Sequence, residues 1–202
     1  MIKSSEIKRI VNGYSDVKIG VLGSHSALEI MDGAKDEDFQ TRVFCQKGRE
    51  GPYKRFGRIA DEITVVDKFK DMASVKYQKE LRESNTIIVP HRSLTVYLGY
   101  KTIENSFKVP IFGNRKLFQA EERTAKKGQY YLLEKARIKY PKLFKDPKRI
   151  NKPSIVKVHE KNRPLERAVF TVSSYKDYLE KSEEKIKQGV LLSRINISEP
   201  TR

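Results

Sequence analysis

From Asp16 to Phe112 short apolar runs alternate with segments of helical spacing, and that alternation leaves few folds open. The runs are Asp16–Leu22, Gln40–Gln46, Glu62–Asp67, Thr86–Pro90 and Val109–Phe112. Most are short and rich in Val and Ile, as strands covered on both faces are. QTRVFCQ at Gln40–Gln46 instead reads as an alternating strand. A short polar helix is expected in SSEIKRIVNGY, and Leu28, Ile30, Met31 and Ala34 fall near helical spacing after the first strand. Further helices are expected over about 74–83 and about 94–105. Strands and helices in this order predict an α/β fold, a doubly wound parallel sheet with right-handed crossovers.

Beyond Gly113 the character changes. Lys116–Arg137 reads as a long basic helical stretch interrupted by Gly128. Pro141 and Pro153 flank a loop around Asp146-Pro-Lys-Arg. Strands Ser154–His159 and Ala168–Ser173 and a helix Tyr175–Gly189 follow, and the closing INISEPTR shows no evident stop. Of a formal net charge of +16, the stretch Asn114–Arg163 carries sixteen Lys and Arg against five Asp and Glu. The expected division is therefore residues 1–113 and residues 114–202. A hydrophobic fraction of 38% suffices for a core. The single cysteine, Cys45, rules out a disulfide framework or a zinc knuckle and is expected to be a core thiol. No run approaches the ~18 apolar residues of a membrane span. The opening residues hold no signal-peptide core, so a soluble, cytoplasmic protein is expected.

A charge of +16 calls for an anionic partner, and nucleic acid, a phosphorylated small molecule and plain solubilising charge all compete. In an open parallel sheet, ligands bind at the carboxyl ends of the strands. The first strand ends in Gly23-Ser24-His25-Ser26, where Ser26 could cap a helix or contact an anion. The fourth ends in Pro90-His91-Arg92-Ser93. If the two strands are neighbours, His25, Ser26, His91 and Ser93 converge on one crevice; otherwise Ser93 is simply a helix cap. Phe112-Gly113-Asn114-Arg115 would add a third edge position. The glycine- and cation-rich loop Gly48–Gly57 could bring Lys54 and Arg55 to a phosphate, or be a solvated basic loop. Lys157, inside the apolar run Ile155-Val-Lys-Val, must reach solvent or an anion, which points to a phosphate. GxGxxG is absent, which disfavours a dinucleotide. His25, His91 and His159 lack metal-ligand spacing. The alternating charges of Tyr175–Gly189 read as a solvated face.

GSHSAL after the first strand, PYKRFG, IIVPHRS and KVPIFGNR, in that order, resemble the archaeal-type formate-dependent FAICAR synthetases, the PurP ligases of the ATP-grasp superfamily. The resemblance runs from about Val17 to Lys157. It implies a Rossmann-like, pre-ATP-grasp substrate domain over 1–113 and the start of an ATP-grasp α+β domain over 114–202. It implies a reaction in purine (IMP) biosynthesis: ATP activates formate as formyl phosphate, and the 5-amino group of AICAR attacks it to give FAICAR, ADP and phosphate. His25 and Ser93 match the family's AICAR contacts, with Ser26 beside them, and Lys157 matches its strand lysine on nucleotide phosphate. Mg2+, or Mn2+ in its place, and a symmetric homo-oligomer are implied as well.

Three departures bear on that expectation. The glycine of the family's PHGS motif is Arg92 here. After Lys157 the family has a glycine-rich phosphate loop, whereas His159–Phe170 contains no glycine and offers Arg163 and Arg167 as cations. The family's acidic metal ligands fall beyond Arg202, so the 202-residue chain is expected to bind AICAR without forming FAICAR. Two rivals stay open: a non-catalytic relative that binds a purine-pathway ribonucleotide, and a basic nucleic-acid-binding protein. No nucleic-acid-binding motif accompanies the charge, which disfavours the second.

Overall fold

The computed structural model describes residues 1–121, 127–141, 143–144, 146–158, 169–189 and 195–198. The chain divides into two compact units, Met1–Gly128 and Gln129–Arg202.

In the first unit the elements run α1 (Ser4–Val11), β1 (Lys18–Leu22), α2 (Ala27–Asp36), β2 (Gln40–Gln46), α3 (Gly51–Arg55) and β3 (Glu62–Val66). A 3-10 turn at Phe69–Ala73 then leads into α4 (Val75–Glu83), β4 (Thr86–Ile88), α5 (Arg92–Leu98) and α6 (Tyr100–Asn105). The strands form one parallel sheet in the order β3-β2-β1-β4. Successive side chains of a strand point to opposite faces, and here each face has its own core. Leu22, Phe44, Val66 and Ile88 pack with Phe69, Met72, Leu81, Leu94 and Ile103. Val21, Val43 and Cys45 pack with Ala27 and Met31 of α2 and Tyr53 of α3. The sheet is therefore doubly wound, as the alternation of elements required.

Coverage on both faces buries β2 from Thr41 through Cys45, so its alternation of residue types is not one of exposure. The two polar side chains pay for that position by being paired. Thr41 Oγ1 donates to Ile59 O at 2.7 Å and accepts from Asp61 N at 3.1 Å. The Arg42 guanidinium, 5% exposed, meets the Glu80 carboxylate, Thr64 Oγ1 at 3.0 Å and Ser84 Oγ at 3.2 Å. A buried charge persists only with such partners.

Three expectations change. The helix over 94–105 is two helices, because Gly99 sits at φ +77, a left-handed conformation that ends α5 and restarts the chain as α6. Val109–Phe112 is no full strand. Ile111 makes one parallel bridge to Ile88, through Ile88 N to Pro110 O at 2.9 Å and Phe112 N to Ile88 O at 2.8 Å. Pro110 has no N–H to extend the ladder. The basic stretch Lys116–Arg137 is not one helix either. Its described parts are a 3-10 turn at Phe118–Glu121 and α7 (Gln129–Lys135), which starts just after Gly128.

The second unit continues with β5 (Leu143–Phe144), β6 (Ser154–Val158), β7 (Val169–Val172), α8 (Tyr175–Lys187) and β8 (Ile195–Ser198). They form an antiparallel sheet in the order β5-β8-β6-β7. Its core is Ile150, Val156, Phe170, Val172 and Ile197, with Tyr178 of α8 against it. The INISEPTR segment thus supplies a strand between β5 and β6. Ile197 of that strand is buried in the core. His159, Arg163 and Arg167 lie outside the described residues.

Helix α8 is held at its start by Ser174, whose hydroxyl accepts from Asp177 N at 3.1 Å, while the Asp177 carboxylate accepts from Ser173 N at 2.9 Å. Ser174→Ala is expected to cost about 1 kcal/mol. Urea unfolding followed by far-UV circular dichroism would measure it, and an unchanged midpoint would count against the cap.

Candidate functional site at the carboxyl ends of β1 and β4

Strands β1 and β4 are adjacent, with Gly20 paired to Ile88, so the segments that leave them emerge side by side. The first segment begins with a turn only glycine can make. A Cβ on Gly23 would lie 2.9 Å from Phe44 O and 3.0 Å from Cys45 Sγ. The bare backbone instead donates from Gly23 N to Phe44 O at 2.7 Å. His25 then takes φ +45, an uncommon conformation for a residue with a side chain and one that collects at functional sites. Its ring is exposed, with Nδ1 2.6 Å from Ser26 Oγ. Ser26 stands at the N-cap of α2 without capping it; its hydroxyl faces the imidazole instead.

The second segment closes on the first. His91 Nε2 lies 2.8 Å from Leu22 O, and Ser93 N donates to His91 Nδ1 at 3.3 Å. Ser93 is buried, and its hydroxyl donates to Ser24 Oγ at 3.3 Å. The rings of His25 and His91 stack with centroids 6.3 Å apart. His25, Ser26, His91 and Ser93 therefore do come together, and α5 is capped by His91 rather than by Ser93. The residue not foreseen is Ser24. Its only sequence signal was its place between Gly23 and His25 in a polar turn.

Burial lowers the pKa of His91 below the ordinary 6.5, and the neighbouring His25 adds to that, against the opposing pull of the Leu22 carbonyl and Glu29. The unfolded chain then takes up this proton first as pH falls. The stabilisation from a neutral His91 is full above about pH 6.5 and declines as pH drops toward the folded value. Urea unfolding of the parent and His91→Gln at about pH 7.5 and about pH 5.5 should show the parent's advantage shrinking at the lower pH. A constant difference would contradict it.

Lys54 and Arg55 are on α3, just after β2; the Lys54 ammonium is 65% exposed and 3.9 Å from the Glu50 carboxylate. Burial pushes the Cys45 thiol up to about 12, the inert core thiol expected. Arg115 turns inward to the backbone, donating to Ile103 O at 2.6 Å, Phe107 O at 2.7 Å and Val109 O at 2.9 Å. It ties the segment after β4 to the end of α6 and the chain that follows it.

In the second unit Lys157 is half-buried and follows Val156, which is fully buried in the core. Strand alternation puts Lys157 on the face away from that core. Its β7 partner there, Val169, is 46% exposed. For a divalent cation, the described residues contain no group of three or more His, Cys, Asp or Glu able to hold one, so they assign Mg2+ no ligands. Among the described residues no helix is long and apolar enough to cross a membrane.

A doubly wound parallel sheet with convergent polar groups at its carboxyl edge in the first unit, and an antiparallel sheet with a helix in the second, define an α/β protein. The chain belongs to the family described as "Protein of unknown function (DUF1246)", which matches residues 19–144. It is 42% identical over 193 residues, 95% of its length, to the 5-formaminoimidazole-4-carboxamide-1-(beta)-D-ribofuranosyl 5'-monophosphate synthetase of Methanopyrus kandleri, covering 52% of that protein. To the synthetase of the same name from Methanothermobacter thermautotrophicus it is 42% identical over 191 residues, covering 93% of the chain and 51% of that protein. The chain thus spans about half the length of these curated relatives. Among solved structures it resembles the IMP biosynthesis protein PurP from Thermococcus kodakaraensis, with TM-score 0.59, 22% identity, and coverage of 91% of this chain and 50% of that one. It also resembles the biotin carboxylase domain of the Hydrogenobacter thermophilus 2-oxoglutarate carboxylase, with TM-score 0.58, 12% identity, and coverage of 94% and 45%. These two show the fold, and the curated relatives bear out the resemblance read from GSHSAL, PYKRFG, IIVPHRS and KVPIFGNR.

Proposed function

We propose that this protein acts as an ATP- and formate-dependent ligase of purine biosynthesis that converts AICAR to FAICAR, with AICAR held at the carboxyl ends of β1 and β4. The observation that carries the reading is the meeting of His25 and Ser93 from two separate segments of a chain 42% identical to named synthetases. An imidazole, two serine hydroxyls and the backbone of a turn offer hydrogen bonds to a carboxamide, a ribose or a phosphate. Lys54 and Arg55 are the further phosphate candidates.

The 114–202 segment is read as the start of an ATP-grasp domain, with Lys157 directed at nucleotide phosphate. The reaction's phosphoryl step needs its charge neutralised, which Mg2+ or Mn2+ would supply. A cytoplasmic homo-oligomer is the expected setting.

Calorimetric titration with AICAR tests the site. His25→Ala and Ser93→Ala should each weaken binding by roughly 1–3 kcal/mol, the cost of a lost buried hydrogen bond. Unchanged affinity in both variants would overturn the assignment. Arg92, where the family has glycine, favours a second reading, a ribonucleotide-binding relative without ligase activity. FAICAR formation from ATP, formate and AICAR in a coupled assay would eliminate it.

A further inference from the structure

We propose that His91 is a positioning residue: fixed as a neutral imidazole with its proton on Nε2, it ties the end of β1 to the first turn of α5 and so sets the groups that face the substrate. The inference rests on the reading that His25 and Ser93 hold AICAR.

The tautomer follows from the partners alone. A carbonyl oxygen only accepts, so the 2.8 Å contact of Nε2 with Leu22 O places the proton on Nε2. A backbone N–H only donates, so Nδ1, 3.3 Å from Ser93 N, carries a lone pair. Both ring nitrogens are thus spent on backbone, one on each segment, and neither is left for a proton transfer. Through these bonds the ring fixes the register of two pieces of chain 69 residues apart. It thereby places the Ser93 hydroxyl on Ser24 Oγ and offers its own face to the His25 ring. A protonated ring would turn an N–H toward Ser93 N–H and break the link. Burial, which lowers the His91 pKa, opposes that, and the titratable groups acting on the ring are His25 from the β1 turn and Glu29 from α2.

Two variants and one spectrum test this. His91→Phe keeps a ring against His25 but removes both hydrogen bonds. His91→Gln keeps a side-chain N–H for Leu22 O. Calorimetry with AICAR should show affinity reduced about tenfold or more in His91→Phe, the worth of ~1.4 kcal/mol. His91→Gln should return to within about threefold of the parent. Nitrogen-15 spectra of the histidine rings in the unliganded parent should show His91 as the Nε2–H tautomer, and less protonated near pH 6.5 than a free imidazole, which is half protonated there. Parent-like affinity in His91→Phe, equal loss in both variants, or a ring that is Nδ1–H or at least as protonated as a free imidazole would each overturn the proposal. A parent chain that fails to bind AICAR would overturn the reading of the site instead, and the ring spectrum would still decide the tautomer. Should His91→Phe not fold, His91→Gln and the spectrum carry the test.

Discussion

Arg115→Met is expected to destabilise the first unit by about 3–5 kcal/mol, a large share of what a domain of this size has to lose. The guanidinium spends its donors on three carbonyls, those of Ile103, Phe107 and Val109, within 2.6–2.9 Å. The side chain is half-buried, and that burial lowers its pKa. Methionine fills the volume of the stem and satisfies none of the three oxygens, each of which then carries its own desolvation cost. Those carbonyls sit at the end of α6 and along the approach to the Ile88–Ile111 bridge, so the loss propagates to β4 and the crevice beside it. Urea unfolding monitored by circular dichroism should show the midpoint fall, and AICAR affinity should fall only where the fold does. A shift below about 1 kcal/mol would mean that water or neighbouring chain replaces the arginine.

The same residue marks the limit of what the sequence could say. Phe112-Gly113-Asn114-Arg115 reads as a strand end followed by a cation, and a cation at a strand's carboxyl end reads as a ligand contact. Nothing in the order of residues says that the arginine turns back onto backbone carbonyls. That depends on the path of α6, and the path depends on Gly99 and Pro110. The parallel strands were legible because their faces are apolar and their spacing leaves room for one helix each. The β2 boundaries at Gln40 and Gln46 were legible for the same reason, whereas its burial on both faces was not. Thr41 and Arg42 look like solvent positions until Asp61, Glu80 and Thr64 are brought to them.

At the site, the residue types were legible and the bonds between them were not. Two polar clusters at two strand ends implied a crevice only if those strands were neighbours, and that is a fact of sheet order. Once β1 and β4 are paired, the roles separate. His25 and Ser26 face one another, Ser24 joins Ser93, and His91 turns from a ligand candidate into a brace. The second unit was the least legible. Of its four strands, β5 is two residues long, too short for a period to show.

Lys157→Met should reduce binding of ATP to this chain by roughly 3 kcal/mol or more, over about a hundredfold, and leave AICAR binding unchanged. Lys157 pairs in register with Val169 and Asn196 on a strand held between β7 and β8, so its backbone has almost no freedom to move. Val156 before it is fully buried in the core, which sends the lysine to the opposite face. That face keeps Val169 and Thr171 exposed, an apolar and hydroxyl surface on which an adenine nucleotide can lie. An ammonium carried on that strand can reach a phosphate lying on the face and gains the charge interaction with it. Methionine preserves the stem's packing and removes only the charge, which makes the substitution a test of the ammonium rather than of the sheet. Titration of parent and variant with ATP, followed by AICAR, should separate the two sites. Equal ATP affinity in the two chains, or no ATP binding by the parent, would show that this face serves something other than a nucleotide.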